Sequence, residues 1–169
     1  MDHRRDEPRV SRRAVLAASG TGVVGCACLA PALDARAAQR REAVRAAEAF
    51  YRTLQAGDLD AFASLWRRDA VWHQPITADG TPGRLVGRDA IVEMLRGALG
   101  LFDRLSFEWE IHALHQSPQA LAIWSLDHHF VGGGSYVNRG MALFRVRGER
   151  IAEFTEHFDT AAWQAAFGR

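Results

Sequence analysis

The 169-residue sequence contains no lysine: all 21 of its basic residues are arginine. That absence excludes Schiff-base chemistry, pyridoxal phosphate attachment and a P-loop lysine. Cysteine is nearly as scarce, with two copies, Cys26 and Cys28, both near the N-terminus. A domain that begins beyond residue 37 therefore has no thiol nucleophile, no disulfide and no thiolate metal ligand. Charge of one sign is lacking too. With 21 basic and 20 acidic residues the formal charge is +1, so nothing global points to nucleic acid or an anionic membrane as a partner. Carboxylate, imidazole, amide, hydroxyl and guanidinium groups remain to carry any chemistry. With 48% hydrophobic residues, the chain is long and apolar enough for one domain with a buried core.

The first 37 residues read as an export signal. Arg4, Arg5, Arg9, Arg12 and Arg13 form a basic start, and Ala14 to Leu33 is an apolar stretch diluted by Gly20, Gly22 and Gly25. Ala35-Arg36-Ala37 supplies a small-x-small peptidase site. Ser11-Arg12-Arg13-Ala14-Val15-Leu16-Ala17 resembles the twin-arginine export motif. The expectation is a periplasmic or secreted protein whose domain spans residues 38–169. A competing ending is Val23-Val24-Gly25-Cys26, which resembles a lipobox; lipidation of Cys26 would make the protein a membrane-anchored lipoprotein.

Beyond the signal, Val44, Ala47, Phe50, Tyr51 and Leu54 recur at helical spacing, and Gly57 stops the helix. Asp58 caps a second helix, Leu59 to Trp66, and Asp69 turns into a short strand, Ala70 to Gln74. Residues 76–87 read as a loop. Asp89 opens a third helix whose stripe is Ile91, Met94, Leu95, Ala98 and Leu99. Four strands follow: one around Phe107 to His112, then 120–131, 136–147 and 151–158, with Gly132-Gly133-Gly134 and Gly148-Glu149 as turns. Thr160 caps a final short helix.

Several strings carry a family resemblance. They are Ala56-Gly57-Asp58-Leu59-Asp60, Asp69-Ala70-Val71-Trp72, Gly87-Arg88-Asp89-Ala90-Ile91 and Glu156-His157-Phe158-Asp159. With the element order, the chain resembles the SnoaL-like branch of the nuclear-transport-factor-2-like superfamily. The resemblance implies an α+β cone: three N-terminal helices packed on a strongly curved antiparallel sheet that encloses a pocket. It also implies a homodimer formed through the sheet. Fold alone does not name a reaction.

Steroid isomerases of this fold are similar in outline, but their base, tyrosine and protonated acid would fall at Gln74, Phe50 and Ala142, none of which can do that work. Limonene epoxide hydrolase is similar in its first strand, where its water-holding pair corresponds to Trp72 and Gln74. Its Arg-x-Asp corresponds to Ser125-Leu126-Asp127 and its second acid to Asp159, the position at which SnoaL-like polyketide cyclases also carry a carboxylate. The arginine has become Ser125 and the tyrosine Trp72.

Strand alternation puts Ser125, Asp127 and His129 on one face of their strand, and Thr155, His157 and Asp159 on one face of another. The resemblance turns Asp127 toward the pocket, with His129 beside it and Tyr136 and Asn138 on the neighbouring strand. Two carboxyls in one desolvated pocket split their pKa values, so one serves as acid and the other as base. The expectation is therefore catalysis by Asp127, Asp159 and His157 on a small hydrophobic molecule. Trp72, Gln74, Ser125, His129, Asn138 and Phe50 would bind it, without a cofactor or metal. Two other readings stay open. One is a non-catalytic exported ligand carrier of the same fold. The other is a metal site from His73, His112, His115, His128 and His129, which lacks ligand spacing.

Overall fold

In the computed structural model, residues 29–115 and 117–168 are described. The basic and apolar parts of the export signal up to residue 28, including Cys26, lie outside them. Leu29 to Ala37 form the start of α1 (Leu29–Ala56), and the helix runs on through the expected boundary at residue 37. Pro31 sits in its first turn, where a missing N–H costs nothing. Gly57, at φ 67°, ends α1 in the left-handed conformation, as its position promised. The Asp58 carboxylate then accepts from Ala61 N at 2.9 Å and starts α2 (Leu59–Ser64).

α2 stops two residues short of Trp66, because Trp66 already belongs to β1 (Trp66–Gln74). The loop expected over 76–87 folds its second half back as β2 (Gly83–Val86), antiparallel to β1. Gly87, at φ 94°, and not Asp89, holds the cap position of α3 (Arg88–Leu99), whose buried residues Ile91 and Leu95 come from the expected stripe. A short strand, β3 (Phe102–Arg104), precedes the four expected ones: β4 (Phe107–Ala113), β5 (Gln119–Phe130), β6 (Ser135–Arg147) and β7 (Arg150–Phe158). α4 (Thr160–Phe167) closes the chain, capped by Asp159 and not by Thr160.

The α+β class and the curved sheet are as expected, with one correction. The sheet runs β2-β1-β7-β6-β5-β3, with β4 also paired to β5, and β1 lies parallel to β7. It is mixed, not wholly antiparallel. The meander β4 to β7 is antiparallel throughout.

One face of this sheet carries α1. Ala120, Ala122 and Ala142 are fully buried there, and their small side chains let Phe50 and Tyr51 of α1 settle onto the strands. Phe50 is the hub of the core, its ring centroid 4.8 to 6.1 Å from Phe62, Trp66, Trp72, Phe144 and Phe154. Toward α3 and α4 the two layers part, and the gap is the cavity described next.

Candidate active site

Inward-facing residues of the strands are set by register. In an antiparallel pair, residues directly opposite share a face. Trp124 pairs with Gly140, Leu126 with Asn138 and His128 with Tyr136 on β5 and β6, while Ala142 pairs with Glu156 and Phe144 with Phe154 on β6 and β7. All of these lie on the core side. Even-numbered residues of β5, of β6 and of β7 from Phe154 onward therefore face inward and odd-numbered ones face out; below the register shift in β7 it is Ile151, opposite Val146, that is buried.

Between this face and α3, α4 and residue 76 lies a cavity of about 180 Å³. Its wall is mostly apolar, including Leu95, Phe107, Trp124, Leu126, Phe158 and Phe167, with Gln74, His128, Tyr136 and Glu156 as the polar groups. Gly140 shapes one side: a Cβ there would collide with the backbone carbonyl of His157 and stand 2.9 Å from Cζ2 of Trp124, so glycine lets β7 and the indole both come close to this strand. A broader, open cleft among Arg67, Arg68, Glu149 and Arg150 is a charged surface, with Arg67 already paired to Asp69 at 2.9 Å. The apolar cavity with few convergent polar groups is the better site.

Glu156 is its chemical centre. Its Oε1 accepts a 2.9 Å hydrogen bond from Trp72 Nε1. Enclosure by protein pushes its carboxyl up to about 8, against the opposing pull of that indole bond. The small exposure Glu156 retains is on the strand face that lines the cavity. His128, 4% exposed, is pushed down to about 4 by burial, and Ser106 N donates to its Nδ1 at 3.3 Å. A neutral ring that accepts at Nδ1 carries its proton on Nε2. Tyr136 is pushed up to about 12 by burial. Its hydroxyl oxygen accepts from Asn138 Nδ2 at 2.6 Å, which leaves its own proton to be donated elsewhere. At neutral pH all three are uncharged.

The expected catalytic pair does not meet here. Asp127 lies on the outer face opposite Val137, its side chain 54% exposed and 3.9 Å from His129 Nε2. The reason is register: Asp127 cannot share a face with Asn138 when Leu126 is the residue opposite Asn138. Asp159 is spent on α4, where its Oδ1 accepts from Ala161 N and Ala162 N, both at 3.0 Å. His157 is exposed on the outer face opposite Met141.

Ser125 also faces out, opposite Arg139, and His129 contacts Arg104 Nη2 at 2.7 Å. Asn138 does face inward, but its amide is consumed by structure. It donates to Asp159 O at 3.0 Å and accepts from Asp159 N at 3.1 Å, gripping that peptide from both sides. Phe50 stands behind the cavity, in the core against Trp72. Trp72 and Gln74 line the cavity.

Glu156 and His128 were missed as site residues. Both were signalled by what flanks them: Phe154 and Phe158 at two residues either side of Glu156, and Trp124, Leu126 and Phe130 around His128. A lone polar group in an apolar alternation faces the core, and an unpaired one there calls for a use. Among the described residues no cluster of three potential metal ligands forms. His128 faces in while His129 faces out.

The comparisons agree with the fold. Comparison with curated protein sequences finds no match. Among solved structures, the chain is similar to a Bacillus subtilis protein provisionally assigned as an isomerase, with TM-score 0.69, 21% identity, and coverage of 76% of this chain and 94% of that one. It is also similar to a provisionally assigned polyketide cyclase from Xanthomonas campestris, with TM-score 0.64, 23% identity, and coverage of 75% and 97%. A third similar structure is a Mycobacterium tuberculosis epoxide hydrolase of the LEH-like type, with TM-score 0.58, 22% identity, and coverage of 75% and 90%. At such identities the likeness is one of fold. The family model described as a SnoaL-like domain matches residues 47–154, more than half of the sequence, and the chain belongs to that family.

Proposed function

We propose that the protein is a cofactor-independent enzyme that moves a proton within a small hydrophobic molecule, with Glu156 as its acid–base group. One observation carries this reading. A single carboxyl, held by an indole N–H and pushed up to about 8, opens into an apolar cavity. Such a group is mostly protonated at neutral pH yet close enough to it to ionise in turn. It gives its proton to a substrate oxygen and recovers one from a neighbouring carbon. That exchange balances with one carboxyl and supports an isomerisation or an internal cyclisation. Hydrolysis is less well supported, because the second carboxylate that would activate water is on the outer face or on a helix cap.

The test is proton exchange: solvent deuterium incorporation beside the carbonyl of small cyclic ketones, followed by NMR. The protein should accelerate it over buffer, and Glu156→Gln should remove at least about 100-fold of that acceleration. An unimpaired Glu156→Gln variant would overturn the assignment.

A non-catalytic carrier is the second reading, favoured by the outward placement of Asp127 and the capping role of Asp159. Recovery of a tightly bound native ligand, unchanged after incubation, would favour it.

The export reading belongs to the same proposal. Its support is the Arg12-Arg13 motif and the Ala35-Arg36-Ala37 site, with Cys26 lipidation as the membrane-anchored alternative. No helix among the described residues is long and apolar enough to cross a membrane. A homodimer through the sheet is supported by the outer face, where Ile123 and Met141 stand directly opposite each other at 49% and 50% exposure, with Val137 at 61%.

A further inference from the structure

We infer that the cavity selects an uncharged molecule of about single-ring size that carries one hydrogen-bond acceptor, against carboxylates and against fused multi-ring molecules. The inference rests on the proposed role of Glu156 for its relevance to turnover, but its argument is one of volume and lining.

Size comes first. The space of about 180 Å³ is close to that of cavities near 150 Å³ that accommodate benzene. Aromatic walls bound it on several sides: Trp72, Trp124 and Phe107 belong to strands that are hydrogen-bonded to their neighbours. A fused ring system exceeds this space, and on the strand side the wall is held in place by its ladder.

Charge comes second. The sequence is rich in arginine, yet among the described residues no arginine lines the cavity. A carboxylate ligand would enter an apolar space with no cation to pair with it, at a desolvation cost that nothing repays. The groups around Glu156 are Tyr51 from α1, Tyr136 from β6, His128 from β5, and Gln74 and the Trp72 indole from β1, while α3 contributes only apolar side chains and α4 contributes Phe167 and the Trp163 indole. None of these is a cation at neutral pH.

Polarity comes third. The protonated Glu156 carboxyl is a donor, and Tyr136 has a proton to give because Asn138 occupies its acceptor side. Donors in an apolar cavity call for an acceptor, as a carbonyl, ether or epoxide oxygen provides.

Trp72, Trp124 and Trp163 line the cavity and supply a fluorescence reporter. The full chain is titrated with cyclohexanone, benzoate and progesterone at pH 6.5. Cyclohexanone should quench saturably, benzoate should bind at least about tenfold more weakly, and progesterone should give no saturable change. Raising the pH through about 8 should weaken cyclohexanone binding as Glu156 ionises, and Glu156→Gln should bind it without that pH dependence. Benzoate or progesterone binding as tightly as cyclohexanone would overturn the inference. Leu126→Trp, which fills the cavity, should abolish the cyclohexanone signal; quenching that survives it would place the ligand elsewhere and also overturn the inference. The two readings fail separately. Full turnover in Glu156→Gln with cyclohexanone still preferred sinks only the enzymatic role, while lost turnover with benzoate preferred sinks only this inference.

Discussion

The indole Nε1 of Trp72 donates to Glu156 Oε1 at 2.9 Å, joining two residues 84 positions apart on neighbouring parallel strands. The bond favours the ionised carboxylate and so works against burial. Trp72→Phe removes the donor and should raise the Glu156 pKa further above 8. Activity that needs the protonated form falls as pH rises through that value, so the alkaline limb of the kcat/KM profile should move to higher pH. Carboxyl NMR titration of the two proteins checks the direction.

Asp159 provides the sharpest contrast with Glu156. Asparagine caps helices about as well as aspartate, so Asp159→Asn should retain near-parental activity and stability. Asp159→Ala should cost roughly 1 kcal/mol in denaturant unfolding, still with activity in the folded fraction. A dead but folded Asp159→Asn variant would restore the catalytic role that the sequence suggested.

Stability should depend on pH through two buried groups of opposite sign. Glu156 holds its proton up to about 8 when folded, against 4.5 in a free chain, so its contribution is lost as pH rises between those values. His128 titrates near 4 when folded, against 6.5 free, so its contribution is lost as pH falls between those values. From about 4.5 to 6.5 the two slopes oppose each other, and above 6.5 the Glu156 slope stands alone. Thermal unfolding should therefore show a decline from pH 6.5 to 8 that Glu156→Gln removes. His128→Gln, whose amide oxygen can still accept from Ser106 N, should flatten the acid side.

Asn138 should matter to structure more than to chemistry. Its amide holds Asp159 from both sides and orients the Tyr136 hydroxyl. Asn138→Ala leaves the Asp159 N–H and carbonyl without that partner, with an expected loss of about 1–3 kcal/mol. Hydrogen exchange should rise first in α4, which contributes no buried residue of its own.

The outer sheet face carries a prediction about assembly. Met141→Glu places a charge opposite Ile123 and should convert a dimer to a monomer in sedimentation while leaving the cavity untouched. A parent protein that sediments as a monomer would remove the dimer proposal.

The elements were legible because their signals are local. Gly57, Asp58 and the alternations in β4 to β7 act through neighbours within a few residues, and each ended or started an element as read. The short pieces escaped: β2 and β3 have four and three residues, too few for a period to show. Which face of β5 turns inward was misread because alternation supplies two faces without ranking them. The family analogy ranked them for Asp127, against the more aromatic face that carries Trp124 and Phe130.

Sequence by itself determined the α+β order and the chemistry that a lysine-free, cysteine-poor domain has to forgo. Tertiary structure decided that Glu156, and not Asp127 with Asp159, is the carboxyl of the cavity. The physical reason is that a side chain's face depends on strand register. Register is set by pairing across the sheet, where Ala142 stands opposite Glu156 and Val137 opposite Asp127. No stretch of chain taken alone contains that pairing.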